Sequence, residues 1–285
     1  MQKIWVCGAR GQIGQAVNDV VDKLEFEMLD TDVDDLDVTD TDEVLRFGEM
    51  NRPDIIINCS GMTDISSCEE NPSQAFKVNA LGARNLAIVA AKMQAKMVQL
   101  STDDVFDGKS TEPYTEFDIT NPETVYGKSK LAGENYVKEF TTKHFIVRST
   151  WVYGKGQNFI NGFLKKVDAG EQLLIASDQF GSPTSANELA RFLLHLVHTS
   201  EYGTYHATNK GVCSRYAFAQ EILQMTGKTA SMQPVPTVMS DFSKVRPAYA
   251  VLDNFIMSMV PIYDFPDWQD SLREYLEERG LYHAE

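Results

Sequence analysis

Residues 3–14 of the chain read KIWVCGARGQIG. The β-rich run at 3–7 predicts a short strand, and the glycines at 8, 11 and 14 predict a tight turn that opens a helix reaching about residue 23. This GxxGxxG spacing differs from the GxGxxG fingerprint, yet it lets a backbone approach a pyrophosphate and a helix pack closely on the strand. The alternative is an ordinary tight turn, which also favours glycine.

Strands and helices are predicted to alternate downstream of this turn. Short strands are expected at residues 27–29, 54–61, 97–100 and 145–148, with one long helix at about 73–93 and another that begins near 125. The run DIIINCSG at 54–61 is almost continuously apolar, as in strands buried on both faces of a parallel sheet. The alternation predicts an α/β, Rossmann-like, doubly wound parallel sheet over residues 1–150.

The pattern loosens beyond residue 151. Helices are predicted near 158–168, 186–198, 216–226 and 267–279, between proline-containing loops and one strand-like run at 204–207. We expect residues 151–285 to form a smaller, mainly substrate-binding region that is partly interleaved with the nucleotide-binding domain.

Composition excludes several classes of partner. The 285 residues carry a formal net charge of −15, which argues against a nucleic-acid backbone or an anionic membrane. An anionic small ligand is still compatible, because backbone N–H groups can hold a phosphate on an acidic protein. No apolar run approaches the roughly 20 residues of a membrane span, and no signal peptide is recognisable. The four cysteines have no metal-type spacing, so we expect a cytoplasmic protein.

The sequence does not predict a metal site. His195 and His198 lie three positions apart without an evident third ligand. The aspartate-rich run at 30–42 lacks the glycine and the glutamate of a calcium-binding loop, so a solvated acidic loop is the better interpretation.

An acidic residue follows the second predicted strand. Asp30 lies about 20 residues after the glycine turn, where a carboxylate binds the adenine-ribose hydroxyls and disfavours a 2′-phosphate. We therefore expect either NADH or NADPH to bind, with NADH favoured. Arg10, within the glycine turn, is the alternative signal, since it could reach a 2′-phosphate.

A tyrosine and a lysine share one face of the helix predicted near residue 125. Tyr126 and Lys130 lie four positions apart in TVYGKSKLAGE, residues 124–134. A free phenol, with a pKa of about 10, seldom exchanges a proton near neutrality, but a neighbouring ammonium lowers that pKa. The pair is therefore a candidate general acid or base, although an isolated YxxxK is more often an ordinary surface pair.

Motifs in order along nearly the whole chain resemble one enzyme family. They include GxxGQxG at residues 8–14, STDxVFDG at 101–108, YGKSKLAGE at 126–134, RxxWxYG at 148–154 and QxGxPT at 179–184. Together they resemble the extended short-chain dehydrogenase/reductase superfamily and, within it, the dTDP-4-dehydrorhamnose reductase family of dTDP-rhamnose and polysaccharide biosynthesis. The resemblance implies an NAD(P)H-dependent oxidoreductase that reduces the 4-keto group of a nucleotide-linked 6-deoxy sugar, with dTDP-4-dehydro-L-rhamnose as the first candidate.

The resemblance also implies roles for individual residues. Catalysis would fall to Thr102, which stands where other members of the superfamily have serine, and to Tyr126 and Lys130. The implied cofactor-binding residues are Gly8, Gly11, Gln12, Ile13, Gly14, Asp30, Asp37, Val38, Cys59, Ser60, Gly61, Met62, Thr63, Asn79, Tyr126 and Lys130. The implied substrate-binding residues are Thr102, Asp103, Asp104, Trp151 and Arg246.

The sequence departs from the family pattern on the sugar side. Asp104 replaces the usual tyrosine, and Gly61-Met62-Thr63 replaces an alanine–histidine–threonine run. Some relatives have a magnesium-bridged homodimer with a glutamate near the position of Gln15, so glutamine there argues against Mg²⁺. Two alternatives stay open. One is a reductase or epimerase of another nucleotide sugar, and the other is a cofactor-binding regulator resembling the regulatory subunit of methionine adenosyltransferase.

Overall fold

Strands and helices alternate along the chain in the computed structural model, which describes residues 1–240 and 247–283. The strands are β1 Gln2–Cys7, β2 Phe26–Thr31, β3 Ile55–Asn58, β4 Lys96–Thr102, β5 His144–Ser149, β6 Val152–Tyr153, β7 Leu173–Ala176, β8 Phe180–Gly181, β9 Thr184–Ser185, β10 Gly203–His206, β11 Cys213–Ser214, β12 Met232–Val235 and β13 Tyr249–Ala250. The α-helices are α1 Gln12–Val20, α2 Thr41–Asn51, α3 Ile65–Glu70, α4 Pro72–Phe76, α5 Ala83–Met93, α6 Val125–Phe140, α7 Phe159–Asp168, α8 Ala186–His198, α9 Arg215–Thr226, α10 Phe255–Met259 and α11 Trp268–Glu278.

The central sheet is parallel and has helices on both faces. Its strand order is β10-β5-β4-β3-β1-β2. Side chains alternate between the two faces: Ile55 and Ile57 of β3 pack in the layer that contains α1 and α8, and Ile56 packs in the layer of α2 and α5. All three side chains are fully buried, which explains the continuous apolar run. The doubly wound α/β fold is confirmed.

The long helix predicted at 73–93 is helical but not α-helical throughout. A π-helical segment, Lys77–Gly82, separates α4 from α5. The side chain of Asn79 in this segment bonds to Met62 and Ser129 rather than facing solvent. π-Helical turns occur frequently at functional sites, and this one turns a polar side chain toward the predicted cofactor. In the first helix, α1 ends at Val20 rather than near residue 23.

The C-terminal half contributes to two cores. α8 packs on α1, and β10 extends the central sheet beside β5, so these elements belong to the layers of the central sheet. A separate apolar cluster contains residues of α7, α9, α11 and β7. Among the described residues, no helix is long and apolar enough to span a membrane.

Candidate functional site

The glycine turn between β1 and α1 lies against the end of β3. Gly8 has a φ of +77°, and a Cβ atom there would lie 2.7 Å from the backbone nitrogen of Ser60. Glycine is required at this position for both conformation and space. Gly11 is the N-cap of α1 and, within the described residues, no side chain caps it, so the first-turn amides can face an anion. Gly14 and Ile13 lie in the first turn of α1.

Gln12 joins α1 to the C-terminal region. Its side-chain nitrogen donates to the carbonyl oxygen of Gln157 at 2.9 Å. Its buried side-chain oxygen has no hydrogen-bond partner among the described residues. An unpaired buried acceptor beside the glycine turn fits a site that a ligand donor completes.

The carboxyl end of β2 presents the residues predicted to frame an adenosine. Asp30 is exposed at this end, next to Thr31, whose carbonyl accepts bonds from the amides of Gly8 and Ala9. Asp37 is exposed, and Val38 is buried against the π-helical segment at Gly82.

Arg10 is engaged by the acidic loop that follows β2. Its guanidinium nitrogens lie 2.7 Å from Asp34 and 2.9 Å from Asp35, and its backbone amide donates to Asp32. The two ion pairs are exposed and therefore weak. They direct the arginine toward carboxylates of the same chain rather than leaving it free.

The segment after β3 is held by Asn79. Its side-chain oxygen accepts from the amide of Met62 at 2.8 Å, and its nitrogen donates to the Met62 carbonyl at 3.0 Å. A Cβ atom on Gly61 would lie 3.1 Å from the oxygen of Asn79 and 3.7 Å from Nζ of Lys130. Cys59 and Ser60 are half-buried in the same segment, and Thr63 is exposed. The predicted residues at 59–63 thus meet Asn79 and Lys130 in space.

The three predicted catalytic residues are buried on adjoining elements. Thr102 ends β4, and Tyr126 and Lys130 lie on the first two turns of α6. The hydroxyl of Thr102 donates to Asp103 at 3.1 Å and accepts from the amide of Asp104 at 3.2 Å. A carboxylate and an amide therefore orient this hydroxyl.

Gly127 lets α6 approach the turn that follows β4. A Cβ atom at this position would lie 2.0 Å from the carbonyl oxygen of Asp104. Because any side chain would push the helix away, this glycine sets the separation between Tyr126 and the Thr102 segment. The YGK motif therefore has a packing reason as well as a chemical one.

Burial changes the acid–base behaviour of Lys130. Its side chain is 4% exposed, and burial lowers the pKa of Lys130 to about 8, although the negative charge of Glu134 opposes this shift. Burial likewise raises the pKa of the Cys59 thiol to about 12. At neutral pH the lysine is therefore still mainly protonated, and Cys59 is a neutral thiol.

Asp103 and Asp104 are buried at the sugar side of the predicted site. Asp104 lines a cavity of about 210 Å³ together with Thr124, Glu123, Pro247 and Ala248. The Asp104 side chain is 1% exposed, so this residue borders the cavity from the interior of the protein. Arg246 was expected to be a cation near the substrate, but it lies outside the described residues.

Trp151 follows β5 and adopts an unusual backbone conformation. Its φ is +48°, a region that non-glycine residues seldom occupy. The guanidinium carbon of Arg215 lies 3.4 Å from the centre of its ring, and Gly181 also packs on the indole. Trp151 is half-buried, so it belongs neither to the deep core nor to the open surface.

Four residues important to this arrangement were missed as site residues. Ser129 accepts from Asn79 at 2.9 Å and donates to the carbonyl of Tyr126 at 2.8 Å. Thr124 caps α6 through a bond from the amide of Gly127. Arg215 stacks on Trp151, and Glu134 forms a buried ion pair with Arg148. Only Thr124 carries a recognisable signal, a cap residue directly before a helix.

A larger cavity of about 440 Å³ lies near the β10 edge of the sheet. It is lined by loop residues that include Thr208, Lys210, Val251, Asn254 and Phe265. Asn254 and Thr208 bond to each other, and Lys210 pairs with Asp264. Its polar groups therefore already have partners within the chain.

The geometry fits a dinucleotide and a reducible carbonyl at one sheet edge. The glycine turn, Asp30, the 59–63 segment and Lys130 all lie at the carboxyl ends of β1 to β4, where parallel sheets bind ligands. Thr102, at the end of β4, and Tyr126, in the first turn of α6, adjoin this edge, and Asp104 and Thr124, which lie two residues from them in the chain, line the 210 Å³ cavity.

Comparisons with known proteins agree with this architecture. The chain is 35% identical over 281 residues to the spore coat polysaccharide biosynthesis protein SpsK of Bacillus subtilis, covering 98% of this chain and 99% of that protein. The structure is similar to a dTDP-4-dehydrorhamnose reductase of Clostridium acetobutylicum, with a TM-score of 0.95, 40% identity and coverage of 98% and 100% of the two chains. It is also similar to a Bacillus anthracis dTDP-4-dehydrorhamnose reductase in complex with NADP, with a TM-score of 0.94, 35% identity and the same coverage.

The family resemblance inferred from the motifs is confirmed by a family model. The model described as RmlD substrate binding domain matches residues 1–280. This match spans both the glycine turn and the C-terminal region. The chain therefore belongs to the RmlD substrate binding domain family.

Proposed function

We propose that this protein is an NAD(P)H-dependent oxidoreductase that reduces the 4-keto group of a nucleotide-linked 6-deoxy sugar, with dTDP-4-dehydro-L-rhamnose as the first candidate substrate. The observation that carries the proposal is the position of Thr102, Tyr126 and Lys130. All three are buried where α6 meets β4, next to the glycine-lined sheet edge. Membership of the RmlD family supports the same reaction class.

The residues divide the reduction between them. A nicotinamide cofactor, when bound, would supply the hydride for the carbonyl carbon. Tyr126 would donate a proton to the carbonyl oxygen, so that C=O becomes CH–OH. Thr102 turns its hydroxyl from Asp103 to the same oxygen, and the ammonium of Lys130 favours the phenolate left on Tyr126.

The cofactor side fits a dinucleotide through its backbone. The α1 amides would hold the pyrophosphate, Asp30 the adenosine ribose, and Lys130 the nicotinamide ribose. We infer that NADH binds more tightly than NADPH, because Asp30 would lie near a 2′-phosphate and Arg10 is paired with Asp34 and Asp35.

The sugar side would be formed by the turn after β4 together with the C-terminal region. Asp103, Asp104 and Trp151 are the described candidates for contact with the nucleotide sugar, and Arg246 is a further candidate from the sequence. Asp104 is the residue that favours a second candidate substrate, a nucleotide sugar other than the rhamnose precursor, because aspartate lacks the apolar ring of the family's tyrosine.

The assembly and its setting are also inferences. A cytoplasmic location is supported by four free cysteines, which persist in reducing compartments. A homodimer stays a prediction, and Gln15 does not favour a magnesium bridge, because its amide side chain donates to the carbonyl of Arg10.

Cofactor oxidation against a panel of sugars tests the function. The purified protein is mixed with NADH or NADPH and with 4-keto-6-deoxy sugars linked to dTDP, UDP or GDP, and absorbance at the nicotinamide band is followed. We expect oxidation with the dTDP-linked 4-keto sugar. Turnover of a different nucleotide sugar only would favour the second candidate. Tight cofactor binding without turnover of any sugar would contradict the reductase and favour a regulatory protein.

A further inference from the structure

A charge pair is buried directly beneath the catalytic turns of α6. The carboxylate of Glu134, one turn after Lys130, accepts from Nε of Arg148 at 2.9 Å and from Nη2 at 2.7 Å. It also accepts from the hydroxyl of Ser101 at 2.5 Å. Glu134 is 0% exposed and Arg148 is 3% exposed. The pair therefore fastens α6 to β4 and β5 in the interior of the protein.

Glu134 is the group that balances the positive charge of Arg148, because the neighbouring His206 is neutral. His206 on β10 lies beside Arg148 in the sheet, and both side chains contact the ring of Phe106. Burial, with a contribution from the positive charge of Arg148, lowers the pKa of His206 to about 3, so the imidazole is neutral. Lys138 approaches Glu134 to 3.8 Å from the exposed side of the helix.

Stability alone is a weak reason for this arrangement. Removing two charges from water costs several kcal/mol for each ion, and apolar side chains of similar volume often stabilise a core equally well. Here the pair lies one turn beyond Lys130, whose ammonium is also buried. A function in setting the charge and position of Lys130 is consistent with both the place of the pair and its cost.

The carboxylate of Glu134 offsets the buried positive charges of Lys130 and Arg148. When ionised, it supplies the negative charge that acts on both of these buried cations. Burial raises the pKa of the Glu134 carboxyl, but the hydrogen bonds and charge of Arg148, with the Ser101 hydroxyl, hold it below its usual value. Without this anion, both cations would repel each other in a poorly solvated region.

We propose that Glu134 is a positioning residue: its carboxylate, held by Arg148 and Ser101, fixes α6 on the sheet and keeps the ammonium of Lys130 charged for the cofactor ribose and for Tyr126. The proposal rests on the roles of Tyr126 and Lys130 in the proposed function. It adds a residue with no contact to cofactor or substrate.

The direction of the pH effect follows from the lysine. Burial places the pKa of Lys130 at about 8, so its charge is present below that pH and is lost as the pH rises. Replacing Glu134 by glutamine removes the opposing negative charge and lowers the pKa of Lys130 further. The charged lysine is then lost at a lower pH, and NADH binding weakens there, because the neutral amine is a poorer partner for the ribose hydroxyls.

The groups that face Lys130 define the controls. On its own helix these are Tyr126 and Glu134, and after β3 it is Cys59, whose thiol pKa of about 12 keeps it neutral. The turn after β4, which packs against α6 at Gly127, carries the buried carboxylates of Asp103 and Asp104, and these are unchanged in every variant. The Asn79 amide, on the π-helical segment, does not titrate. Arg148 and His206 face Glu134 from β5 and β10. Lys130→Met removes the titrating group and keeps most of the side-chain volume, which separates its contribution from the others.

The experiment is a fluorescence titration of NADH from pH 6 to 10. The proteins are wild type, Glu134→Gln, Lys130→Met and the double variant Glu134→Gln/Lys130→Met. We expect the wild-type dissociation constant to rise around pH 8 and the Glu134→Gln midpoint to fall by about one pH unit or more. In both proteins that carry Lys130→Met, this step should be absent.

A second variant, in which apolar side chains replace both buried charges, keeps the proposal testable if Glu134→Gln fails to fold. Glu134→Leu/Arg148→Met removes both buried charges together and should keep a melting temperature near that of wild type. The pH midpoint of NADH binding should fall less in this variant than in Glu134→Gln, because the positive charge of Arg148, which repels Lys130, is removed together with the negative charge of Glu134. Equal midpoints in wild type and Glu134→Gln, even with a lower melting temperature, would overturn the proposal and leave Glu134 a purely structural residue.

These titrations use no sugar, so they are separable from the reductase assay. A lower pH midpoint for NADH binding in Glu134→Gln supports the proposal even if no keto sugar is reduced. If a keto sugar is reduced but the midpoint of Glu134→Gln equals that of wild type, the proposed function stands and the role of Glu134 is overturned. A wild-type NADH affinity that does not change with pH also overturns it.

Discussion

The predicted cofactor side and the predicted sugar side of α6 are built in different ways. On the cofactor side, backbone atoms make the surface: Gly8 lies against Ser60, and Asn79 holds the segment after β3 through the amide and carbonyl of Met62. On the predicted sugar side, the candidate residues come from separate elements: Asp104 from the turn after β4, Trp151 from the segment after β5, and Arg215, which stacks on Trp151, from α9.

This difference explains which sequence departures matter. Met62 stands where the family pattern has histidine, but its described hydrogen bonds use only its backbone, so the change does not affect the contact with Asn79. Asp104 stands in place of the family's tyrosine and is a candidate to contact the sugar through its side chain, so the replacement changes the chemistry that this position offers. A backbone-built site tolerates side-chain variation, and a side-chain-built site uses it for specificity.

The largest expected effect separates chemistry from cofactor binding. Tyr126→Phe removes the proton donor and keeps the ring, so turnover should fall by about 10²-fold or more while NADH binding persists. Steady-state kinetics and NADH fluorescence measure the two quantities. Tyr136→Phe, the same change on the same helix, is the control. Near-normal turnover of Tyr126→Phe would exclude Tyr126 as the acid.

The second test disturbs the contact between α6 and the turn after β4. Gly127→Ala places a Cβ atom against the Asp104 carbonyl, which should cost about 1–3 kcal/mol and reduce turnover by roughly tenfold. Gly162→Ala in α7 has no atom within 4 Å of its Cβ and should gain up to about 1 kcal/mol. Thermal unfolding compares the two, and equal melting temperatures would show that α6 does not need this close approach.

The third test concerns the cofactor side alone. Asp30→Asn should raise NADPH affinity relative to NADH by roughly tenfold, because it removes a negative charge near the 2′-phosphate. Glu27→Gln, the same change at the opposite end of β2, should leave the ratio unaltered. Both are measured by titration of each cofactor. A clear NADPH preference in wild type would instead assign Arg10 to the phosphate.

The smallest expected effect is on the sugar side. Asp104→Tyr should lower KM for the rhamnose precursor by about threefold, since a ring contact contributes about 0.5–1.5 kcal/mol, without altering NADH binding. Asp104→Asn distinguishes the loss of charge from the gain of a ring. If KM is unchanged or higher in the tyrosine variant, Asp104 is remote from the sugar or serves a different sugar.

Local sequence patterns are sufficient to predict the fold and the glycine turn. Each of three features depends on only a few consecutive residues: the glycine turn, the apolar strand β3 and the helix cap at Thr124. A tight turn requires glycine, and a strand buried on both faces requires an apolar run, so both leave a recognisable local pattern. The tyrosine and lysine of α6 also share a face through helix geometry alone. These features therefore follow from the order of the amino acids.

Tertiary structure decided what the other residues do. The partnership of Glu134 with Arg148, the stacking of Arg215 on Trp151 and the hold of Asn79 on Met62 join positions 14 or more residues apart. Such long-range contacts leave no repeating pattern in the sequence, because each depends on which helices and strands the fold brings together. The sequence by itself determined a dinucleotide-binding α/β fold with a Tyr–Lys helix. Only the folded chain determined the buried charges beneath that helix, because burial and a low local dielectric arise from packing.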